Sequence, residues 1–503
     1  MSSFELLLQG FATATTPRNL LLCFAGCLWG TAVGVLPGLG PLAGMALLLP
    51  LTYSLDPTGA AIMLAGIFYG AMYGGSTTSI LLRIPGEAAS IVTCIDGHQM
   101  ARKGRGGAAL TIAAVGSFVG GTVSIVGLIV AAPLLANVML SVGPAAEAVL
   151  MAVALLVVVF VSHGPFVKTL AMILLGLCIA VIGLDPLTAT PRFMFGKLEL
   201  AEGLSFVALA IGLFGVSELL LSVDERLTEQ PVAPRLRDLV PTRQEAREAA
   251  PATLRGSVIG FVFGIIPGVS HIVSTFTSYA VEKRLARNPQ EFGNGAVAGV
   301  AGPETANNAT TGSAMIPLLV LGIPAIPSTA ILLSALQIHG VQPGPLLLVE
   351  RPDVFWGLVA SMYLGNLILL VLNLPLVGVF VALLRIPMAK LAPTVLLICL
   401  IGVFSVKASA FDLWLMWGAG VVGYVLRKFE YDVAPLLLAT VLGDRLEVSF
   451  RRALTISDGD YSIFSQDPAA RAFIAILTLV VVLQAGARLL GNKAKQKTTP
   501  SQA

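Results

Sequence analysis

The chain has 503 residues, 56% of them hydrophobic and 12% charged, with a formal charge of +3, whereas soluble domains carry about 25% charged residues. That balance excludes a soluble globular fold, which has nowhere to hide so much apolar surface. The basic residues lie in short loops instead of forming a patch interleaved with aromatics, which argues against nucleic acid as a partner and leaves the lipid bilayer as the expected surrounding.

Taken in chain order, the first residues, MSSFELLLQGFATATTPRNLLL, carry no basic leader and no small-residue cleavage site, so they read as part of the mature protein. Runs such as Gly107 to Leu135, Ala145 to Val161 and Trp356 to Leu384 meet the roughly 20 apolar residues a helix needs to cross a hydrocarbon core about 30 Å thick. The expected fold is an all-α polytopic membrane protein with about 10 to 12 spanning segments. The 52 glycines and 30 prolines point to broken helices, which membranes tolerate where neighbours satisfy the freed backbone groups. Five cysteines (Cys23, Cys27, Cys94, Cys178, Cys399) sit in or beside apolar stretches without a CxxC pair and read as small buried hydrophobes.

The chain repeats itself. Gly30-x-x-x-Gly34-x-x-Pro37-Gly38 recurs as Gly260-x-x-x-Gly264-x-x-Pro267-Gly268, at an offset of 230. Downstream, Ser76-Thr77-Thr78 leads to Ile84-Pro85-Gly86, and Ala309-Thr310-Thr311 leads to Ile323-Pro324-Ala325 with six more residues between the landmarks. The loops then show how the halves sit, because cytoplasmic loops are enriched in Lys and Arg. In the first half the early loop, Leu51 to Thr58, has neither, and the later one holds Arg102, Lys103 and Arg105. In the second half the early loop holds Lys283, Arg284 and Arg287, and the later stretch, Gln337 to Asp353, only Arg351. This swap is the signature of two inverted-topology repeats, whose binding sites lie at the repeat interface.

The expected organisation is an N-terminal transmembrane repeat (1–223), a polar cytoplasmic linker (224–255), a C-terminal inverted repeat (256–490) and a polar tail (491–503). With the linker and the Lys283 loop on one side, the arms Gly256 to Ile266 and Val269 to Val281 reach only about 20 Å each. They read as a re-entrant hairpin with Pro267-Gly268 at its tip, mirrored by Leu21 to Tyr53 around Pro37-Gly38. Strict inversion would leave Arg488, Lys493, Lys495 and Lys497 outside, against the positive-inside rule, so the last helix is not placed by this scheme.

Two kinds of site follow. Broken helices at Pro37-Gly38 and Pro267-Gly268 leave free N–H groups and a positive dipole end for an anion, and free carbonyls for a cation. The bland alternative is helix packing by small residues. The second site is the polar pair YGGSTTSILLRIPG, Tyr73 to Gly86 with Gly74, Gly75, Ser76, Thr77 and Thr78, and ANNATTGSAMIPLLVLGIPA, Ala306 to Ala325 with Asn307, Asn308, Thr310 and Thr311, in otherwise apolar surroundings. On a helix Glu304 and Asn308 share a face, as do Asn307 and Thr311; these groups suit a carboxylate or Na⁺ coordination near Pro37, Pro267 and Asn308, or else hydrogen bonds between helices. Arg83 is open to three roles: a two-pronged grip on a carboxylate, an ion pair with Glu87, or snorkelling to the interface. His98, His163, His271 and His339 show no metal-ligand spacing, and no Walker motif would hold ATP. No cofactor or catalytic group is expected, and transport would run on a Na⁺ or H⁺ gradient.

At these residues a family resemblance becomes visible. GVLPGLGPLAGMALLLPLTY, YGGSTTSILLRIPGEAASIVTCIDGHQMARKGR and GPETANNATTGSAMIPLLVLGIP, with FWGLVASMYLGN and APLLLATVLGDRLEVSFRRAL later, closely resemble the large subunit of the tripartite tricarboxylate transporters, called TctA. The resemblance implies a multi-pass permease of the bacterial inner membrane. It implies work with a small integral-membrane subunit (TctB-like) and a periplasmic solute-binding protein (TctC-like) that delivers citrate-like or other carboxylates. Arg83 stands where the family pattern commonly has Asn, and Ala325 where it has Gly, both beside the expected site. Competing readings are a channel, which would show charge rings or a filter loop, a structural membrane subunit, and an intramembrane enzyme, which would need a nucleophile with a base or a metal site.

Overall fold

The computed structural model describes residues 3–36, 39–161, 165–222, 236–269, 271–383, 388–479 and 481–482. Pro37, Gly38, His163, the linker residues 224–235, the polar tail 491–503 and Arg488 lie outside the described residues. The chain forms two compact units, residues 1–140 with 204–433, and residues 141–203 with 434–503.

The first unit opens with α1 (Ser3–Ala14), α2 (Pro17–Val35) and α3 (Gly40–Leu48). A 3₁₀ stretch (Leu49–Ser54) leads to α4 (Pro57–Leu82), then α5 (Ile91–Met100) and α6 (Gly106–Met139). Proline presets the first turn of α2 and α4, and Thr16 and Asp56 cap them by accepting from the Asn19 and Gly59 N–H groups. Nearly every residue of α4 is buried, as befits a helix apolar all round. In chain order α7 (Pro144–Val161), α8 (Phe166–Ala180) and the two-residue strands β1 (Gly183–Leu184) and β2 (Pro191–Arg192) belong to the second unit. The first unit resumes with α9 (Phe206–Ala210) and α10 (Ser217–Ser222), joined by a π-helical segment. It continues through α11 (Arg243–Ile265), α12 (His271–Leu285), α13 (Ala298–Ser313), α14 (Pro327–Ile338), α15 (Leu347–Glu350), α16 (Pro352–Asn373), α17 (Val377–Leu383), α18 (Met388–Lys407) and α19 (Ala410–Lys428).

The repeat is visible in the packing. A Cβ on Gly26, Gly30 or Gly34 of α2 would fall on the carbonyls of Met63, Ile67 and Ala71 in α4. Gly256, Gly260 and Gly264 of α11 stand in the same way against Gly302, Ala306 and Thr310 of α13. The offset is 230 from α2 to α11 and 239 from α4 to α13 (Met63 to Gly302), and 239 persists beyond the helix ends. Arg83 and Gly322 are both left-handed, at φ 59° and 68°. The N–H groups of Ile84 and Ile323 then reach back to the carbonyls of Thr78 and Pro317, at 3.4 and 3.1 Å. Glu87 and Ile326 share one conformation, with φ −147° and −145°, each held by a hydroxyl three residues on, Ser90 or Thr329.

This register corrects the pairing of the threonines. Thr310 answers to Ala71 and Thr77 to Ile316, so the six extra residues inferred between the landmarks do not exist; the difference between the two offsets is taken up around α3 and α12.

The equivalent helices α4 and α13 run in opposite directions. Ser76, near the end of α4, bonds Glu304, near the start of α13. Earlier on α4, Phe68 lies edge-on to His271, which bonds Thr311 near the end of α13. Halves whose matching helices are antiparallel are inverted repeats. The loops sort accordingly. At one end Lys103 donates to the Asn294 carbonyl at 2.5 Å and Arg105 pairs with Glu245. At the other end Thr58 meets Asp353 at 3.5 Å.

Residues 243–255, read from sequence as linker, are the first part of α11. Thr242 and Glu245 close a capping box, and the helix runs 23 residues through Pro251, about 34 Å. Its polar first half leaves the apolar arm as read, Gly256 to Ile266, and Arg255 at the foot of that arm pairs with Glu282 near the end of α12, so the two short arms of the hairpin stand side by side.

Among the described residues three helical stretches are long and apolar enough to cross a membrane: Pro17–Val35, Ala88–Met139 and Pro352–Asn373, with several shorter apolar helices besides. In the second unit α20 (Ala434–Ile456) packs on α7 and α8, with Gly176 placed where a Cβ would meet the Leu436 carbonyl. Cys178 of α8 is exposed, against the buried reading; the other four cysteines are buried. Asp185 in the β1–β2 turn is held well below the usual carboxylate range, first by the Thr188 N–H and then by Arg451 at 2.6 Å.

Candidate functional site

The polar groups singled out in sequence converge where α4 crosses α13 in the first unit. The cause is local. Gly74 brings α4 against the Thr31 carbonyl of α2, and at Gly75 a Cβ would come within 3.0 Å of the Glu87 side chain, so the bare backbone makes room for a carboxylate. Ser76 then points across to α13 and bonds Glu304 at 2.5 Å. Thr93 of α5 bonds the other oxygen of Glu304, and Glu304 itself is 1% exposed. Thr77 and Thr78 are buried, and Thr78 turns back to the Gly75 carbonyl.

From α13, Asn307 donates to Glu87 Oε1 at 3.0 Å, while its own Oδ1 is buried without a partner. Asn308 donates to Ser117 of α6 at 2.7 Å and to the Glu304 carbonyl at 3.2 Å. Glu304 and Asn308 thus share a face, as expected. Thr310 is used up between helices: its hydroxyl lies within 2.8 Å of Ser274 and 2.7 Å of the Ala306 carbonyl. Thr311 bonds the Asn307 carbonyl and His271.

A second constellation adjoins it. Tyr69 and Tyr73 of α4, Gly121 and Ile125 of α6, Asn308 and Gly312 of α13, and Met362 and Asn366 of α16 line a cavity of about 10 Å³, the size of one water. Tyr69 and Asn308, and Tyr73 and Gly312, are repeat equivalents at the 239 offset, so the cavity lies where the two halves meet. Tyr73 donates to Asn366, which holds Phe118 and Thr122 of α6. The Tyr69 hydroxyl is buried without a partner. A tricarboxylate does not fit this volume.

The remaining expected residues lie apart. Arg83 is exposed at the left-handed end of α4, with no ion pair to Glu87 among the described residues. Pro267-Gly268 is a half-buried turn whose Gly268 N–H binds the Ala325 carbonyl at 2.8 Å. Pro37 and Gly38 are outside the described residues. The sequence did not mark Glu87 as a partner of α13, nor Thr93, Ser117, Tyr69 and Asn366 as part of the site; Tyr73 opened the polar segment without a role of its own. A lone Asn in the apolar run of α16 was the one available signal.

A family model described as the tripartite tricarboxylate transporter TctA family matches residues 20–438. The chain belongs to the TctA family. Two relatives come from Agrobacterium vitis. The "Uncharacterized 52.8 kDa protein in TAR-I ttuC' 3'region" is 45% identical over 474 residues, 94% of each chain. The "Uncharacterized protein in TAR-II ttuC' 3'region" is 45% identical over 224 residues, 44% of this chain and 93% of its own. No solved structure matches. As a TctA protein the chain is a membrane subunit of a tripartite tricarboxylate transporter, a transporter family and not a family of enzymes.

Proposed function

We propose that this TctA chain is the large permease subunit of a binding-protein-dependent secondary transporter in the bacterial inner membrane. It imports a tricarboxylate or related carboxylate on a Na⁺ or H⁺ gradient, together with a small TctB-like membrane subunit and a periplasmic TctC-like binding protein. The observation that carries this reading is the antiparallel crossing of α4 and α13. Asn308 and its repeat equivalent Tyr69, whose hydroxyl is unpartnered, line a small cavity there, the place where inverted-repeat transporters hold substrate and ion. Opening that seam exposes Asn308, Ser76 and Thr77 to a carboxylate, and moving one half against the other alternates its access. The Pro267-Gly268 turn, tied to Ala325, flanks the path.

The test is uptake of labelled di- and tricarboxylates into liposomes holding the chain and its membrane partner, with binding protein outside and an imposed ion gradient. Saturable uptake that requires gradient and binding protein, and that Asn308→Ala abolishes, supports the proposal. Uptake indifferent to both contradicts it and favours a channel.

A further inference from the structure

We infer that the coupling ion is a proton and that the carboxyl of Glu304 carries it. This rests on the transport reading above and deepens it.

The geometry around Glu304 fits a group that gains and loses a proton in place. Its two oxygens contact the hydroxyls of Ser76 and Thr93, and a hydroxyl both donates and accepts. With Glu304 ionised, both hydroxyls donate to it. With Glu304 protonated, the carboxyl O–H donates to one of them, and no heavy atom has to move. The Ser76 contact of 2.5 Å is a direct hydrogen bond to the carboxyl. A carboxylate this deep without a cationic partner is relieved of its charge by taking up a proton.

Asn307, three residues on, has the same versatility. Its amide N–H donates to Glu87 Oε1 while its oxygen, 1% exposed with the rest of the side chain, has no donor. Turned over, that oxygen accepts from a protonated Glu87. The orphaned acceptor is thus a place held for a proton on the second carboxyl, and Glu87, the more exposed of the two, is the first that water reaches.

Most of the other charged or titratable groups on the packed elements are engaged elsewhere, whereas the buried Tyr69 hydroxyl of α4 has no partner and Cys94 of α5 lies within electrostatic reach of Glu304. Asp96 of α5 takes the N–H groups of Gly293, Gly295 and Ala296 and the Tyr279 hydroxyl, and His98 meets the Ile80 carbonyl. Glu282 of α12 pairs with Arg255 of α11, and His271 with Thr311. Tyr73 of α4 bonds Asn366, Arg83 lies exposed past its end, and Cys94 of α5 is buried. α6 carries no charged residue. Because Ser76 and Thr93 belong to one half and Glu304 to the other, the proton's arrival changes the bonds across the seam that must open. One proton is bound from the side of higher concentration and released to the other in each cycle.

The test uses the reconstituted complex with a pH-sensitive dye and labelled substrate. Wild type is expected to carry protons inward with the carboxylate. Glu304→Gln, checked to be monodisperse, is expected to lose accumulation on a pH gradient, and Glu304→Asp to regain it in part. Accumulation by Glu304→Gln on a pH gradient overturns the inference, as does wild-type uptake that follows Na⁺ without proton movement. If Glu304→Gln does not fold, Ser76→Ala decides: its pH profile of uptake is expected to shift, and an unshifted profile is contrary. No saturable uptake by wild type under any gradient is a different result, which removes the transporter reading itself.

Discussion

Arg83 shows how a single backbone angle redirects a side chain. The sequence invited an i, i+4 pair with Glu87, which presumes a continuous helix. Arg83 instead takes φ 59° and ends α4, so the two side chains never share a face, and Glu87 is free to meet Asn307 across the seam. Its repeat equivalent is Gly322, which adopts this conformation without the cost of about 1 kcal/mol that a Cβ brings. Arg83→Gly is therefore expected to raise thermal stability in detergent by about 1 kcal/mol and to leave uptake in place. Loss of uptake in a stabilised variant would return Arg83 to the substrate site. The Ser76 and Asn308 assignments were legible because hydroxyls and amides in an apolar run must find partners. Glu304's hold on Ser76 was not, since residues 228 positions apart leave no local pattern.

At the scale of elements, the glycine ladder was legible because its four-residue period is the period of a helix face. What the period did not reveal is that it runs on both helices: Gly66, Gly70 and Gly74 of α4 lie against the carbonyls of Cys23, Cys27 and Thr31. The threonine pairs misled because hydroxyls serve different neighbours in the two halves, Thr310 joining α13 to α12, and Thr78 its own helix. The start of α11 was hidden by its polar composition, although Thr242-x-x-Glu245 is a capping box in the sequence. Arg105 at the same end pulls Glu245 below the ordinary carboxylate range and fixes where that helix begins. A Cβ at Gly70 meets the Cys27 carbonyl at 2.6 Å and the Thr31 nitrogen at 2.8 Å, backbone atoms that cannot swing aside. Gly70→Leu is expected to cost more than the usual 1–3 kcal/mol, roughly, of overpacking. Gly418→Leu, with open space around its Cβ, should melt like wild type. Equal melting of the two would contradict the ladder.

For the whole first unit the account rests on two halves inverted about the α4–α13 crossing. The inversion was readable from loop charge alone, because the positive-inside rule acts on topology before any packing is known. The exact register needed the structure, since it depends on which carbonyl each glycine approaches. The most direct measurement is two-sided cysteine labelling in intact cells, in a background lacking the native cysteines. Ser54→Cys, before α4, and Asn288→Cys, before α13, are exposed positions at the matching ends of equivalent helices. The account predicts that an impermeant thiol reagent reaches Ser54→Cys from outside and Asn288→Cys only after the membrane is opened. Labelling of both from the same side would contradict the inverted repeat and with it the proposed site.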